Sequence, residues 1–159
     1  MLPDHKIFPR MKMYEGVTHL DYIIRKASVD DANQLFSLVA QFATSFKPER
    51  AAFDICLKEL LSDENAWLNV AEYQGEVIGY CLGFDHYAFY ANGRVSWVEE
   101  IMVKAEMRRH GVGQRLMEGF EKWAQARGSK LVGLATRRAA PFYTALGYEE
   151  SATFFRKLL

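Results

Sequence analysis

Apolar side chains recur along the chain at two spacings, one typical of helices and one typical of strands. Helical spacing predicts four helices, near residues 31–42, 53–61, 111–127 and 141–146. Strand-like stretches predict six strands, at residues 20–26, 66–73, 77–90, 94–103, 130–136 and 148–158. The order is strand, two helices, three strands, and then helix, strand, helix, strand. This order predicts an α/β fold built around a mixed sheet.

Turn residues mark the ends of these predicted elements. Gln74-Gly75 predicts a turn between two strands, and Gly128 ends the third helix. Asn92-Gly93 predicts a tight two-residue hairpin, because both residue types tolerate a positive φ. Residues 1–19 contain two prolines and show no periodicity. We therefore expect an N-terminal arm over residues 1–19 and a single folded domain over residues 20–159.

The composition excludes several classes of protein. The chain has 159 residues, of which 50% are hydrophobic and 25% charged, as in one ordinary globular domain. Cys56 and Cys81 each stand in an apolar segment, which predicts core thiols in a reducing compartment. The four histidines are scattered without metal-ligand spacing, and no run approaches the ~20 apolar residues of a membrane span. We expect a cytoplasmic protein with no bound metal and no membrane partner.

The formal net charge of zero conceals two segments of opposite sign. Residues 1–103 carry 9 basic and 15 acidic side chains, whereas residues 104–138 carry 9 basic and 3 acidic ones. A positive segment inside a neutral domain favours a local anionic ligand over a polyanion, so nucleic acid is not an expected partner. An arginine-rich, solvated helix face is the alternative interpretation.

The loop before the third predicted helix combines glycines with positive charge. Gly111 and Gly113 allow close approach of a ligand to the backbone, and Arg108, Arg109 and His110 precede or flank them. A helix N-terminus presents unpaired N–H groups and a partial positive charge, and the two together bind phosphate. No Gly-Lys-Ser/Thr follows, so the loop is not a Walker motif.

Two segments together resemble the GNAT superfamily of N-acetyltransferases. The run Arg108-x-x-Gly111-x-Gly113, just beyond a predicted strand, is similar to the acyl-CoA pyrophosphate loop of that family. Its late helix is similar to residues 139–148, Ala-Ala-Pro-Phe-Tyr-Thr-Ala-Leu-Gly-Tyr. The order and separation of the two segments also match. The resemblance implies the GNAT fold, a mixed, mostly antiparallel, twisted sheet flanked by about four helices.

The resemblance also implies the reaction and a role for each matched residue. Acetyl-CoA would donate its acetyl group directly to a primary amine of a small molecule or peptide. Tyr143 would act as general acid on the departing thiolate, although a tyrosine on this short helix also fits a core position. The strand end, loop and helix start would bind CoA through Ile101, Met102, Val103, Arg108, Arg109, His110, Gly111, Val112, Gly113 and Gln114.

One further CoA contact departs from the family pattern. The family often has Asn at the position of Thr136, three residues before Ala139. Threonine keeps one hydrogen-bond donor but lacks the amide, and Arg137 and Arg138 add positive charge beside it. This departure motivates the alternative function, a non-catalytic acyl-CoA-binding regulatory module.

Glu99 and Glu100 are the candidate general bases. Acyl transfer to an amine requires removal of a proton, and a carboxylate at the end of a strand suits that task. Adjacent residues of an undistorted strand point to opposite faces, so only one of the two faces the cleft. Relatives that resemble this sequence usually employ the first acid of such a pair, which favours Glu99. Alternatively, both carboxylates flank the sheet and pair with Arg94 or another cation.

The acceptor site is expected on the first helix pair, the connection at residues 44–50 and the strand at residues 84–90. These segments offer aromatic and acidic side chains, namely Phe46, Asp85, His86, Tyr87, Phe89 and Tyr90. Such a surface suits a cationic amine with an apolar body. Edge-to-edge pairing of the aromatic strands or of the C-terminal strand would give a homodimer.

Overall fold

A computed structural model describes residues 20–43 and 45–159, together with residues 13–14 and 17–18. The latter four form a two-stranded antiparallel ladder of β1 (Met13–Tyr14) and β2 (Val17–Thr18). The other residues of the predicted arm, and Thr44 in the predicted acceptor connection, lie outside the described residues.

Five further strands form one mixed sheet in chain order. They are β3 (Ile23–Lys26), β4 (Ala66–Tyr73), β5 (Glu76–Ala88), β6 (Gly93–Val103) and β7 (Ser129–Leu134). Neighbouring strands are antiparallel from β3 to β6, whereas β6 and β7 are parallel and are connected through a helix, as parallel strands require. The predicted α/β class with a mixed, mostly antiparallel sheet is confirmed.

Within the described residues, four helices cover the two faces of the sheet. They are α1 (Ala32–Phe42), α2 (Arg50–Ser62), α3 (Val112–Ala126) and α4 (Ala140–Ala145). Helices α1 and α2 cover the α1 face, the side of the sheet that carries Tyr80 and Leu82. Helices α3 and α4 cover the α3 face, the side that carries Cys81 and Val98. Each fully buried Leu or Phe in these layers contributes about 1.5–3 kcal/mol, so both pairs of helices are held by their apolar faces.

One extra residue interrupts the pairing of β6 with β5. Leu82 lies opposite Glu100 and Gly83 lies opposite Val98, which leaves Glu99 as the additional residue of a β-bulge. As a result Val98 and Ile101 both pack on the α3 face although they are three residues apart. The bulge therefore reverses the alternation of side chains between the first and second halves of β6.

Gly83 allows α3 to approach the sheet closely at this bulge. A Cβ atom at residue 83 would lie 2.3 Å from Cε2 of Phe120, far inside van der Waals contact. The bulge is thus packed directly beneath the centre of α3.

The predicted hairpin at Asn92-Gly93 has a different form. The connection between β5 and β6 spans residues 89–92, and Gly93 already pairs with Ala88 in the ladder. Asn92 alone adopts the left-handed conformation, with φ 51°. The two-residue turn was therefore a wrong prediction, because the glycine belongs to the strand.

The predicted C-terminal strand at residues 148–158 is also wrong. The chain leaves α4 through Gly147, whose φ is +89°, and the Tyr148 hydroxyl donates to Glu121 at 2.8 Å. Residues 149–159 are exposed, and the Arg156 guanidinium donates to the Ser45 hydroxyl at 2.8 Å. A strand needs a neighbour for its backbone groups, and this segment lies along the surface instead.

Three sequence expectations concern cysteines, membranes and metals. Cys81 is buried as predicted, but Cys56 is exposed on α2, where only Leu57 is fully covered. Within residues 20–43 and 45–159, no helix combines the length and apolar character needed to cross a membrane. The same residues contain no group of three side chains suited to hold a metal ion.

Candidate active site

A gap opens between β6 and β7 immediately after the bulge. The parallel ladder ends where Val98 pairs with Leu134, whereas β6 continues to Val103. Among the described residues, no strand pairs with residues 99–103 on their β7 side. A bulge bends its strand and increases the local twist, which accounts for the separation. An extended ligand can enter this gap and hydrogen-bond to β6 as an added strand would.

The N-terminus of α3 presents free backbone donors at the end of β6. Arg109 and Gly111 both adopt the left-handed conformation, with φ of 65° and 78°. The first hydrogen bond of the helix runs from the N–H of Arg115 to the carbonyl of Gly111, at 3.0 Å. The N–H groups of Val112, Gly113 and Gln114 therefore have no partner inside the helix. Since the first turn contains no acidic residue, this end of α3 suits an anion.

Two of the predicted CoA-binding side chains hold the loop in shape. The Nε–H of Arg108 donates to the carbonyl of Val103 at 3.1 Å, and the Nδ1–H of His110 donates to the carbonyl of Arg108 at 2.8 Å. Arg109 is exposed beside them. The carbonyl of Val103 is thus already engaged, whereas Arg109 is free to face a ligand.

Helix α4 packs Tyr143 into the core on the α3 face of the sheet. The Tyr143 ring is 8% exposed and contacts the rings of Phe142 and Tyr148 edge-on, with centroids 5.0 and 5.9 Å away. The Tyr143 side chain thus occupies a core position, as the alternative interpretation expects, but its hydroxyl makes no hydrogen bond within the described residues. Burial raises the pKa of Tyr143 to about 12, which keeps the hydroxyl protonated at neutral pH.

Thr136 shapes the turn that leads into α4. Its hydroxyl oxygen accepts the N–H of Ala139 at 3.1 Å, which leaves the hydroxyl proton free for another acceptor. Thr136 is exposed together with Arg137 and Arg138. The threonine therefore has a local role that does not consume its single donor.

The two candidate carboxylates occupy different environments. Glu99 is exposed in the bulge, whereas Glu100 is half-buried on the α1 face. The Tyr80 hydroxyl donates to Oε2 of Glu100 at 2.6 Å. Burial raises the pKa of Glu100, the bond from Tyr80 opposes that shift, and the charge of Glu99 adds to it. Neither carboxylate pairs with Arg94, because Arg94 binds Asp85.

Glu100 lies at the wall of a cavity between α1, α2 and the sheet. The cavity measures about 500 Å³, a size typical of pockets for small ligands. Most of its lining is aliphatic or aromatic, and the connection between α1 and α2 contributes Phe46, Lys47, Pro48 and Glu49. Glu99 does not contribute to this lining.

The predicted acceptor surface is only partly correct. Phe46 lines the cavity, but His86, Tyr87 and Phe89 lie elsewhere and are exposed. The Asp85 carboxylate is fully buried between the guanidinium groups of Arg94 and Arg127, so it cannot receive an amine. The β5–β6 hairpin thus extends away from the cavity.

Sequence reasoning missed three features of this site. Tyr80, the partner of Glu100, stands twenty residues away along the chain, and no local pattern pairs the two. The side chains of α1 and α2 that form the cavity are indistinguishable by periodicity from core residues. The bulge had one available signal, since Val98 and Ile101 have an odd spacing for two apolar residues on one face.

Relatives that match over most of both chains include two N-acetyltransferases. An uncharacterized N-acetyltransferase of Bacillus subtilis, YhfO, is 26% identical over 137 residues, covering 82% of this chain and 92% of that protein. The aminoalkylphosphonate N-acetyltransferase of Salmonella typhimurium is 28% identical over 141 residues, covering 86% of this chain and 90% of that protein.

A solved structure matches the fold of this chain, and a family model matches its sequence. The crystal structure of glucosamine-6-phosphate N-acetyltransferase from Arabidopsis thaliana has a TM-score of 0.78, with 20% identity over 86% of this chain and 97% of that chain. This likeness shows the fold. The model of the acetyltransferase (GNAT) family matches residues 32–148, well over half of the sequence. The chain therefore belongs to the GNAT family of N-acetyltransferases.

Proposed function

We propose that this N-acetyltransferase transfers the acetyl group of acetyl-CoA directly to a primary amine, with Glu100 as general base and Tyr143 as general acid. One observation carries the proposal: the bulge at Glu99 opens the β6–β7 gap at the same point at which Glu100 enters the cavity on the α1 face. A thioester in the gap and an amine in the cavity would meet there.

The residues around the gap fit acetyl-CoA. The unpaired edge of β6 at Ile101 and Met102 suits the amide groups of the pantetheine arm. The free N–H groups at the start of α3, with Arg109 beside them, suit the pyrophosphate. Acetyl-CoA supplies an acetyl thioester, whose carbonyl carbon an amine can attack.

Glu100 is the better general base of the two carboxylates. A base must reach the proton that it removes, and Glu100 lines the cavity that would hold the amine. The half-buried setting raises its pKa above the usual value of a glutamate, which strengthens it as a proton acceptor. This assignment replaces the sequence-based preference for Glu99, which is exposed in the bulge.

Tyr143 packs on the α3 face, and we place its hydroxyl next to the sulfur of the thioester. As the C–N bond forms and the C–S bond breaks, the amine loses one proton to Glu100 and the sulfur gains one from the Tyr143 hydroxyl. The high pKa of Tyr143 ensures that this proton is present at neutral pH. Because a thiol has an ordinary pKa near 8.5, the thiolate is a fair leaving group, and the contribution of Tyr143 is smaller than that of Glu100.

Substitution Tyr143→Phe is expected to lower kcat about 10²-fold, at the low end of the range for a general acid. The KM for acetyl-CoA should change little, because the substitution breaks no hydrogen bond within the described residues and the proposed proton transfer occurs as the C–S bond breaks. CoA release from acetyl-CoA, followed with a thiol reagent over a panel of primary amines, measures both. Failure of the wild-type protein to release CoA with any amine would overturn the proposed function, and full activity of the variant would remove Tyr143 from it.

The acid side of the pH profile should shift in opposite directions in two variants. Tyr80→Phe removes a hydrogen bond that stabilises ionised Glu100, so the pKa of Glu100 rises and activity is lost at higher pH. We expect a shift of about one pH unit, from the ~1.5 kcal/mol of a hydrogen bond to a charged group. Glu99→Gln removes a neighbouring negative charge, so the pKa of Glu100 falls and activity persists to lower pH, by about 0.5 unit.

The dependence of kcat/KM on pH, measured with one amine for all three proteins, gives these shifts. The ionisation of the amine is the same in each profile, so the differences between proteins belong to the enzyme. Coincident acid limbs in the three proteins would show that Glu100 does not control the profile.

A further inference from the structure

The interior of the cavity between α1 and α2 is apolar. Aliphatic and aromatic side chains from both helices and from β5 face it, namely Leu35, Val39, Phe53, Leu57, Leu60 and Leu82. Leu35 and Leu57 are almost fully covered by the protein, so they mark the deep part of the cavity. A ligand in this part contacts hydrocarbon on most sides.

Charged side chains of the lining occur at two depths. Lys47 and Glu49 belong to the connection between α1 and α2 and are exposed, so they lie at the rim. Glu100 is the only charged residue that the sheet contributes to the lining, and it reaches the cavity from β6. The charge of a cationic amine is therefore balanced by the carboxylate of Glu100. Any second charge deeper in the cavity would have no partner of opposite sign, and burying an unpaired charge costs free energy.

We infer that the acceptor is a primary amine on an uncharged, apolar body, an alkylamine or arylalkylamine, with its nitrogen at Glu100 and its body between α1 and α2. The inference rests on the proposed function for the role of the nitrogen. It predicts that two other classes of amine are poor substrates. Polyamines carry a second cation, and aminoalkylphosphonates, the class in the name of the Salmonella relative, carry an anion that the interior does not match.

A series of straight-chain primary amines from ethylamine to octylamine tests the inference with acetyl-CoA as donor. Each added methylene that enters the cavity should raise kcat/KM about fourfold, from ~0.8 kcal/mol per buried methylene. Hexylamine should exceed 1,6-diaminohexane and 6-aminohexylphosphonate by at least about tenfold, because their distal charge would be buried without a partner. A flat series, or preference for either charged analogue, would overturn the inference while leaving acetyl transfer intact.

Two neighbouring alanines of α2 offer a matched pair of variants. Both are exposed, but Ala52 lines the cavity and Ala51 does not. Ala52→Trp should place an indole in the cavity and lower kcat/KM for octylamine at least about tenfold, with little change for ethylamine. Ala51→Trp should leave both values unchanged. Equal effects of the two variants on octylamine would contradict the assignment.

Binding without turnover separates this inference from the proposed function. Calorimetry with hexylamine and with 1,6-diaminohexane, in the absence of acetyl-CoA, reports on the cavity alone. If hexylamine binds more tightly but no amine is acetylated, the ligand class stands and the proposed reaction fails. If amines are acetylated but hexylamine has no advantage in binding or in kcat/KM, the reaction stands and the ligand class fails.

Discussion

Replacing Glu100 with glutamine is expected to lower kcat by about 10²–10⁴-fold, the range for loss of a general base. Glutamine has nearly the same shape, and its amide oxygen can still accept the hydrogen bond from Tyr80, which is 2.6 Å in the native protein. Packing at the cavity wall should therefore persist. What disappears is the ability to take a proton from the amine in the cavity, so the loss should appear in kcat at every pH at which the native enzyme is active.

Glu99→Gln is the matched control for this prediction, because it alters the adjacent residue in the same bulge. It should lower kcat far less than Glu100→Gln does, and its main effect should be the shift of the acid limb described above. Both variants should bind acetyl-CoA and unfold thermally like the native protein. If instead Glu99→Gln abolished turnover and Glu100→Gln did not, the base would be the exposed residue of the bulge.

The largest expected effect on stability comes from Asp85→Ala. The Asp85 carboxylate is fully buried and accepts three hydrogen bonds, one from Arg94 at 2.7 Å and two from Arg127 at 2.7 and 3.0 Å. Removing one partner of a buried ion pair costs about 3–5 kcal/mol. Both arginines are partly exposed, at 21% and 27%, and can regain some water, so we expect the lower end of about 3 kcal/mol. Urea unfolding at equilibrium measures this difference.

An exposed ion pair of the same chemistry supplies the comparison. Arg50 and Asp54 lie 2.8 Å apart on the surface of α2, with about half of each side chain in water. Asp54→Ala should change the free energy of unfolding by no more than about 0.5 kcal/mol. Equal effects of the two alanine substitutions would show that the Asp85 cluster does not hold the β5–β6 hairpin to the end of α3.

The sequence was sufficient to predict the loop and the helix start that we propose bind the pyrophosphate. Helical spacing predicts α3, and the glycines at residues 111 and 113 stand at its start, where backbone donors are free. The glycines and the helix start are neighbours in one segment of the chain, so a local sequence pattern is enough to predict this geometry. Family resemblance then extended the prediction to Tyr143, which lies on α4 and whose catalytic role stays a prediction.

Features that depend on distant partners could not be predicted in this way. The direction of Glu100 follows from a bulge that is defined by pairing with β5, and its hydrogen bond comes from Tyr80 on that strand. Asp85 and Arg127 are 42 residues apart, so no local pattern distinguishes Asp85 from a surface acid. The C-terminal segment has strand-like composition, but composition alone cannot supply a neighbouring strand.

The bulge also bears on how this site can change during evolution. Side chains that line the cavity belong to single positions of α1 and α2, so point substitutions can alter the preferred amine one residue at a time. The gap between β6 and β7 depends instead on one additional residue in β6, which only an insertion or a deletion can add or remove. The preference of the proposed acceptor cavity is thus open to gradual drift, while the gap proposed for the acyl donor is inherited intact or lost in a single event.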